Sequence, residues 1–136
     1  IWNENEETAL QEIKQKVDIS PVKLMYLPQG MRFLSYDIDT ESLCANIFYE
    51  YRDSMFIVYM FNNETENVFY YHVDEKLKEK EKIVTEQNII ISVYESEYKG
   101  AKSCMASFEH DGDYYYCVSS IEYSEIKKIL KYLVVF

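Results

Sequence analysis

Residues 104–119 read Cys-Met-Ala-Ser-Phe-Glu-His-Asp-Gly-Asp-Tyr-Tyr-Tyr-Cys-Val-Ser, and their order decides the fold class. Asp111-Gly112 lies between two alternating runs. A two-residue hairpin turn needs positive φ at both central positions, which Asp and Gly tolerate best. The stretch therefore predicts two antiparallel strands, over 104–109 and 114–119. With that turn, His110 faces Asp113 and Ala106 faces Cys117, so Cys104, His110 and Cys117 share one face of the hairpin.

The same pattern continues outward. Tyrosine, 14 of the 136 residues, suits a pleated surface that is apolar on one side and wet at the ring tip. Residues 89–94 are strongly β-prone, a strand over 79–85 precedes them, and Glu86-Gln87-Asn88 turns between the two. Further upstream, Pro28-Gln29-Gly30 is a turn that launches a strand over 32–39. Strands over 43–51 and 55–61 form a second hairpin through Arg52-Asp53-Ser54. Residues 68–73 are apolar and aromatic, and strand, helical turn and packed loop all stay open for them.

Both ends read as helix. Leu10, Ile13 and Val17, with Ala9, recur at helical spacing. Glu6 and Glu7 lie in the first turn and Lys14 and Lys16 in the last, which suits the helix dipole. Asn5 or Thr8 is the expected cap, and the segment from Asp18 to Pro21 stops the helix. Ile126, Ile129, Leu130 and Leu133 form the second stripe, extended one turn by Tyr123. Ser119 and Glu122 are spaced as its capping box. Strand runs with terminal helices predict an α+β fold. It has one twisted antiparallel sheet of six to seven strands, with both helices on one face. At this length a single domain over 1–136 is expected.

Charge narrows the partners. Fourteen basic against 24 acidic residues give a formal net charge of −10. Such a surface repels phosphate backbones and anionic lipid headgroups, so nucleic acid is not an expected partner. No run approaches the roughly 20 apolar residues of a membrane-spanning helix. The chain begins at Ile1, and an upstream segment carrying a signal or anchor is expected.

Catalytic vocabulary is thin. Cys104, His110 and Cys117 lack the four closely spaced ligands that zinc prefers. A Cys117–His110 nucleophilic pair has no glycine-rich stretch to build an oxyanion hole. Asp111, Asp113 and Glu109 lack the alternating ligand series of a calcium loop. His72 reads as a packed or surface histidine. No catalytic residue, metal or cofactor is therefore expected, and the chain reads as a non-enzyme. Tyr70, Tyr71, Tyr114 and Tyr116 are the candidate ligand or partner surface, because aromatics concentrate at such surfaces. Core and cross-strand roles are the more ordinary reading of these tyrosines.

Tyr26-Leu27-Pro28-Gln29-Gly30-Met31 resembles the Tyr-Leu-Pro-Glu-Gly-Tyr or -Met opening of a bacterial family, domain of unknown function 4367. The likeness continues through Tyr49-Glu50-Tyr51, the 111–116 hairpin and a closing helix over 124–130. Gln29 stands where the family usually has an acid. The resemblance implies an extracytoplasmic domain, C-terminal in a longer protein and held behind a single membrane helix in Gram-positive bacteria. Some such domains accompany regulators of sigma factors, and no activity is attached to them. The expected function is sensing or protein interaction at the cell surface. The alternative is a carrier or receptor for an apolar, peptide or sugar ligand held between sheet and helices. An unidentified protein partner or small ligand is implied in either case.

Overall fold

Asp111 and Gly112 both adopt left-handed backbone, with φ of 51° and 87°. The hairpin they close has the expected register, His110 opposite Asp113 and Ala106 opposite Cys117. A Cβ on Gly112 would lie 2.6 Å from Asn63 Nδ2, a second reason for glycine there. The computed structural model describes residues 4–63, 78–98 and 100–136, so residues 68–73 lie outside it.

The elements run α1 (Glu4–Val17), β1 (Val22–Leu24), β2 (Met31–Asp39), β3 (Cys44–Tyr51), β4 (Ser54–Phe61), β5 (Lys78–Val84), β6 (Ile90–Tyr98), β7 (Ala101–His110), β8 (Asp113–Ser119), α2 (Tyr123–Lys131) and β9 (Leu133–Val135). Strands β2 to β8 form one seven-stranded sheet in the order β2-β3-β4-β8-β7-β6-β5. Every pairing in it is antiparallel. The fold is α+β.

One row of directly paired residues crosses all seven strands: Tyr36, Ile47, Val58, Cys117, Ala106, Val93 and Glu81. Residues directly opposite one another share a face of the sheet. The five inner members are buried. The two ends are polar, and each meets a helix. Tyr36 donates to Glu12 Oε2 of α1 at 2.6 Å. Tyr123 of α2 donates to Glu81, which also pairs with Lys127 Nζ at 3.1 Å. Both helices therefore pack on one face. Leu10, Ile13 and Val17 of α1 join Ile126, Ile129 and Leu130 of α2 in one core cluster against it.

Two short strands escape the sequence pattern. β1 and β9 pair with each other, Val22 to Val135 and Leu24 to Leu133, and all four side chains are buried. Leu133, expected in the helical stripe, belongs to β9. The helix ends at Lys131 because the backbone of the β-prone Leu-Val-Val run pairs with β1 instead. The open edge of β9 is closed by a side chain. Gln87 Nε2 donates to the Val135 carbonyl at 2.9 Å, and its Oε1 accepts from the Val135 N–H at 2.8 Å. The amide thus imitates a neighbouring strand.

Capping differs as well. Ser119 donates to the Met55 carbonyl at 2.7 Å and accepts from Ile121 N at 3.1 Å. It serves the end of the sheet, and Glu122 stands at the N-cap of α2 without a side-chain cap bond. Asn5 and Thr8 lie inside α1, which begins at Glu4. Glu6, within the first turn, bonds to Tyr49 of the sheet.

Two outcomes are expected. Gln87→Leu leaves the Val135 amide groups without these partners and should cost about 1–3 kcal/mol in urea unfolding. The tyrosine hydroxyls hold the Glu12 and Glu81 carboxyls below the ordinary glutamate value of 4.5. Carboxyls lowered in the folded state contribute stability that is full above the unfolded pKa and is lost as pH falls through the folded one. Stability should thus decline below about pH 4.5. The decline should be shallower in a Glu12→Gln, Glu81→Gln double variant, as read by circular dichroism across an acid series. Both groups are at the surface, so salt should damp the effect.

Candidate functional site

The pleat divides the three consecutive tyrosines of β8. Tyr115 points into the core, stacks on Phe108 with ring centroids 4.8 Å apart, and donates to the Ser20 carbonyl at 2.7 Å. Tyr114 and Tyr116 occupy the opposite face, away from the helices. Tyr116 is buried there, opposite Tyr59 with ring centroids 6.2 Å apart, and its hydroxyl reaches the Met105 sulfur. Tyr114 is exposed, between Phe61 and Glu109. Half-buried Phe48, Ile57 and Val118 continue this face, over which no helix among the described residues lies. Tyr70 and Tyr71 lie outside the described residues.

Cys104 and Cys117 face the core as diagonal neighbours, since Ser119 stands opposite Cys104 and Ala106 opposite Cys117. All three cysteines are free thiols. Burial pushes the Cys117 thiol up to about 12 and raises that of Cys104. A thiolate is the nucleophilic form, so burial works against covalent chemistry at either. His110 sits at the turn, its Nε2 3.4 Å from Asp111 Oδ2. Among the described residues no three His, Cys, Asp or Glu side chains converge as metal ligands.

A site the sequence pattern did not single out lies at the other end of the molecule. The first turns of α1, the strand β1 and the 25–33 segment enclose a groove of about 750 Å³. The Pro28 carbonyl accepts from Met31 N at 3.0 Å, and Gly30 adopts φ of 92°, so the segment folds back as a tight turn. Tyr26 anchors that turn to α2 by donating to Glu125 Oε2 at 2.8 Å. Leu27, Met31 and Phe33 supply apolar wall, and Phe33 meets Tyr49 edge-on at 6.1 Å.

The polar wall is Glu6, only 7% exposed, whose Oε2 accepts from the buried Tyr49 hydroxyl. Burial and the Glu6 charge raise the Tyr49 pKa well above the ordinary value, so the hydroxyl stays a donor. Two ion pairs frame the groove: Lys23 with Glu7, and Arg32 Nη2 with Glu50 Oε1 at 3.1 Å. A signal for Glu6 was present in the sequence. It precedes Leu10, Ile13 and Val17 at i, i+4, i+7 and i+11, on the buried stripe rather than the solvent face.

A second hollow, of about 510 Å³, lies beside Asp37, Asp39, Glu41 and Cys44. Asp39 Oδ1 accepts from Glu41 N at 3.0 Å and Ser42 N at 3.1 Å, so its carboxylate serves the turn. Such local side-chain bonds are the ordinary chemistry of an Asx turn.

A family model, Domain of unknown function (DUF4367), matches residues 21–133. The match takes in the 25–33 wall of the groove and the whole seven-stranded sheet, and begins after α1. No curated protein matches the chain. No solved structure matches it either.

Burial sets the expected cysteine reactivity. In native buffer at pH 8, Cys104 and Cys117 should be alkylated at least about a hundredfold more slowly than in denaturant. Peptide mass spectrometry after timed iodoacetamide quenching reads this directly. Rapid native labelling of Cys117 would contradict the packing described.

Proposed function

The chain belongs to the domain of unknown function 4367 family, and on that premise we propose that it is a non-enzymatic extracytoplasmic domain for sensing or protein interaction. In this reading it is joined to a membrane by a preceding segment. The observation that carries the interaction reading is the groove beside the Pro28–Gly30 turn. Its walls come from α1, β1 and the 25–33 segment, and hydrogen bonds tie each wall to another element. A concave surface of mixed apolar and charged character, held by elements that do not depend on a ligand, suits recognition of a partner chain.

Support for the location comes from the family resemblance, which implies a domain outside the cell behind one membrane helix. The acidic surface fits a domain that does not adhere to anionic headgroups. A carrier of apolar ligands would need room between sheet and helices. Among the described residues that layer is packed with Ile13, Ile47, Val58, Ile129 and Leu130, each at most 1% exposed. This weighs toward interaction rather than carriage.

The test uses the full-length gene product in its native host. Protease added to intact cells should remove the domain while cytoplasmic markers survive. Protection in intact cells, with digestion only after lysis, would overturn the reading.

A further inference from the structure

We infer that Asp113 makes the rim of the sheet beside the β7–β8 turn a proton-sensitive junction, which joins three segments of the chain and which protonation of its carboxyl strengthens. The junction shares no residue with the groove, and its behaviour does not depend on where the domain resides. It is built on the helix side of the sheet. Asp113 opens β8 directly opposite His110, two residues before the inward Tyr115, and is only 8% exposed. Its Oδ1 accepts from Asn63 N at 3.1 Å, which fixes the exit from β4. The link between α1 and β1 is held at the same place. Tyr115 donates to the Ser20 carbonyl at 2.7 Å, and Asn62 Nδ2 donates to the Val17 and Asp18 carbonyls at 2.9 and 3.1 Å. The start of β8, the exit of β4 and the end of α1 thus meet around one carboxyl group.

Like charges surround that group. Asp18 faces it from the link and Asp111 from the turn. A buried carboxylate is costly to keep ionised, and neighbouring carboxylates add to the cost. Burial raises the Asp113 pKa above the ordinary 3.8; the two aspartates add to the rise, and the Asn63 and Ser20 N–H groups oppose it. Protonation removes the repulsion, while the carboxyl group keeps an oxygen to accept from Asn63. Two other titratable groups lie at the junction. His110 keeps its Nε2 3.4 Å from Asp111 Oδ2, and when charged it offsets the aspartates. Tyr115 stays neutral, because burial, Asp113 and Asp111 all raise its pKa. The exit of β4 contributes the uncharged Asn62 and Asn63.

The folded chain therefore takes up this proton more readily than the unfolded chain. Such a group contributes stability that is full below the unfolded pKa and is lost as pH rises through the folded one. Its sign is opposite to that of the Glu12 and Glu81 carboxyls, whose pKa values are lowered. Comparison with a variant at each pH isolates it from them.

Asp113→Asn is that variant, because its amide oxygen still accepts from Asn63 without the charge. Urea unfolding of both proteins is compared at about pH 7 and about pH 4. Relative to the variant, the unaltered chain should gain at least about twofold in its folding equilibrium constant at the lower pH. The same comparison in a His110→Gln background should keep its direction. Carbon-13 titration of the labelled, unaltered chain should place the Asp113 carboxyl midpoint above 3.8, with the Ser20 and Asn63 amide shifts following that midpoint. If Asp113→Asn does not fold, this titration decides. A midpoint at or below 3.8, amide shifts that do not follow it, no gain relative to the variant, or a gain that vanishes with His110 would each overturn the inference.

Discussion

The architecture depends on the row of direct pairs from Tyr36 to Glu81, which crosses seven strands and ends in a polar group on each side. An antiparallel sheet slipped by one residue would turn every inward side chain to the other face. Here the apolar middle of the row fixes the register, and its polar ends dictate where the helices rest. At one end a sheet tyrosine donates to a helix glutamate; at the other a helix tyrosine donates to a sheet glutamate. Hydrogen bonds to charged acceptors are stronger and more directional than neutral ones. They orient α1 and α2 where burial alone, being non-directional, would leave the helices free to slide.

The same chemistry shapes the groove. Glu6 and Glu12 occupy α1 six residues apart, and each is bound by a tyrosine from an adjacent strand, Tyr49 of β3 and Tyr36 of β2. The helix is therefore held at both its beginning and its middle. Its first turns form a wall opposite the Pro28–Gly30 turn, which Tyr26 ties to α2 through Glu125. The tyrosine richness of the chain thus serves chiefly to join layers. Tyr26, Tyr36, Tyr49, Tyr115 and Tyr123 all place their hydroxyls on another element.

Much of this was legible in the residues. Asp111-Gly112 and the alternating runs gave their turns and strands within a few positions, because two-residue turns and period-two patterns are local. β1 and β9 were not legible, since three residues cannot display a period and their pairing joins segments over a hundred positions apart. Leu133 fits a helical stripe and an inward strand position equally well, and only the partner strand decides. Ser119 had the spacing of a cap, but the Met55 carbonyl claims its hydroxyl. Gln87 looked like turn chemistry, while its amide completes a sheet edge far away in sequence. Tyr114 and Tyr116, two residues apart on β8, share the face away from the helices. The groove was missed because Glu6 was read by its nearness to the helix start rather than by its place on the buried stripe.

The most direct measurement is a double-mutant cycle on the pair that ties α1 to the sheet and forms the groove wall. Tyr49→Phe, Glu6→Gln and the double variant would be compared by urea unfolding. A buried hydrogen bond to a carboxylate predicts a coupling of about 1–3 kcal/mol between the two positions. Additive losses, with no coupling beyond about 0.5 kcal/mol, would contradict the account. The start of α1 would then be placed by apolar packing and by the Tyr36–Glu12 bond further along, and the groove wall would owe nothing to Tyr49.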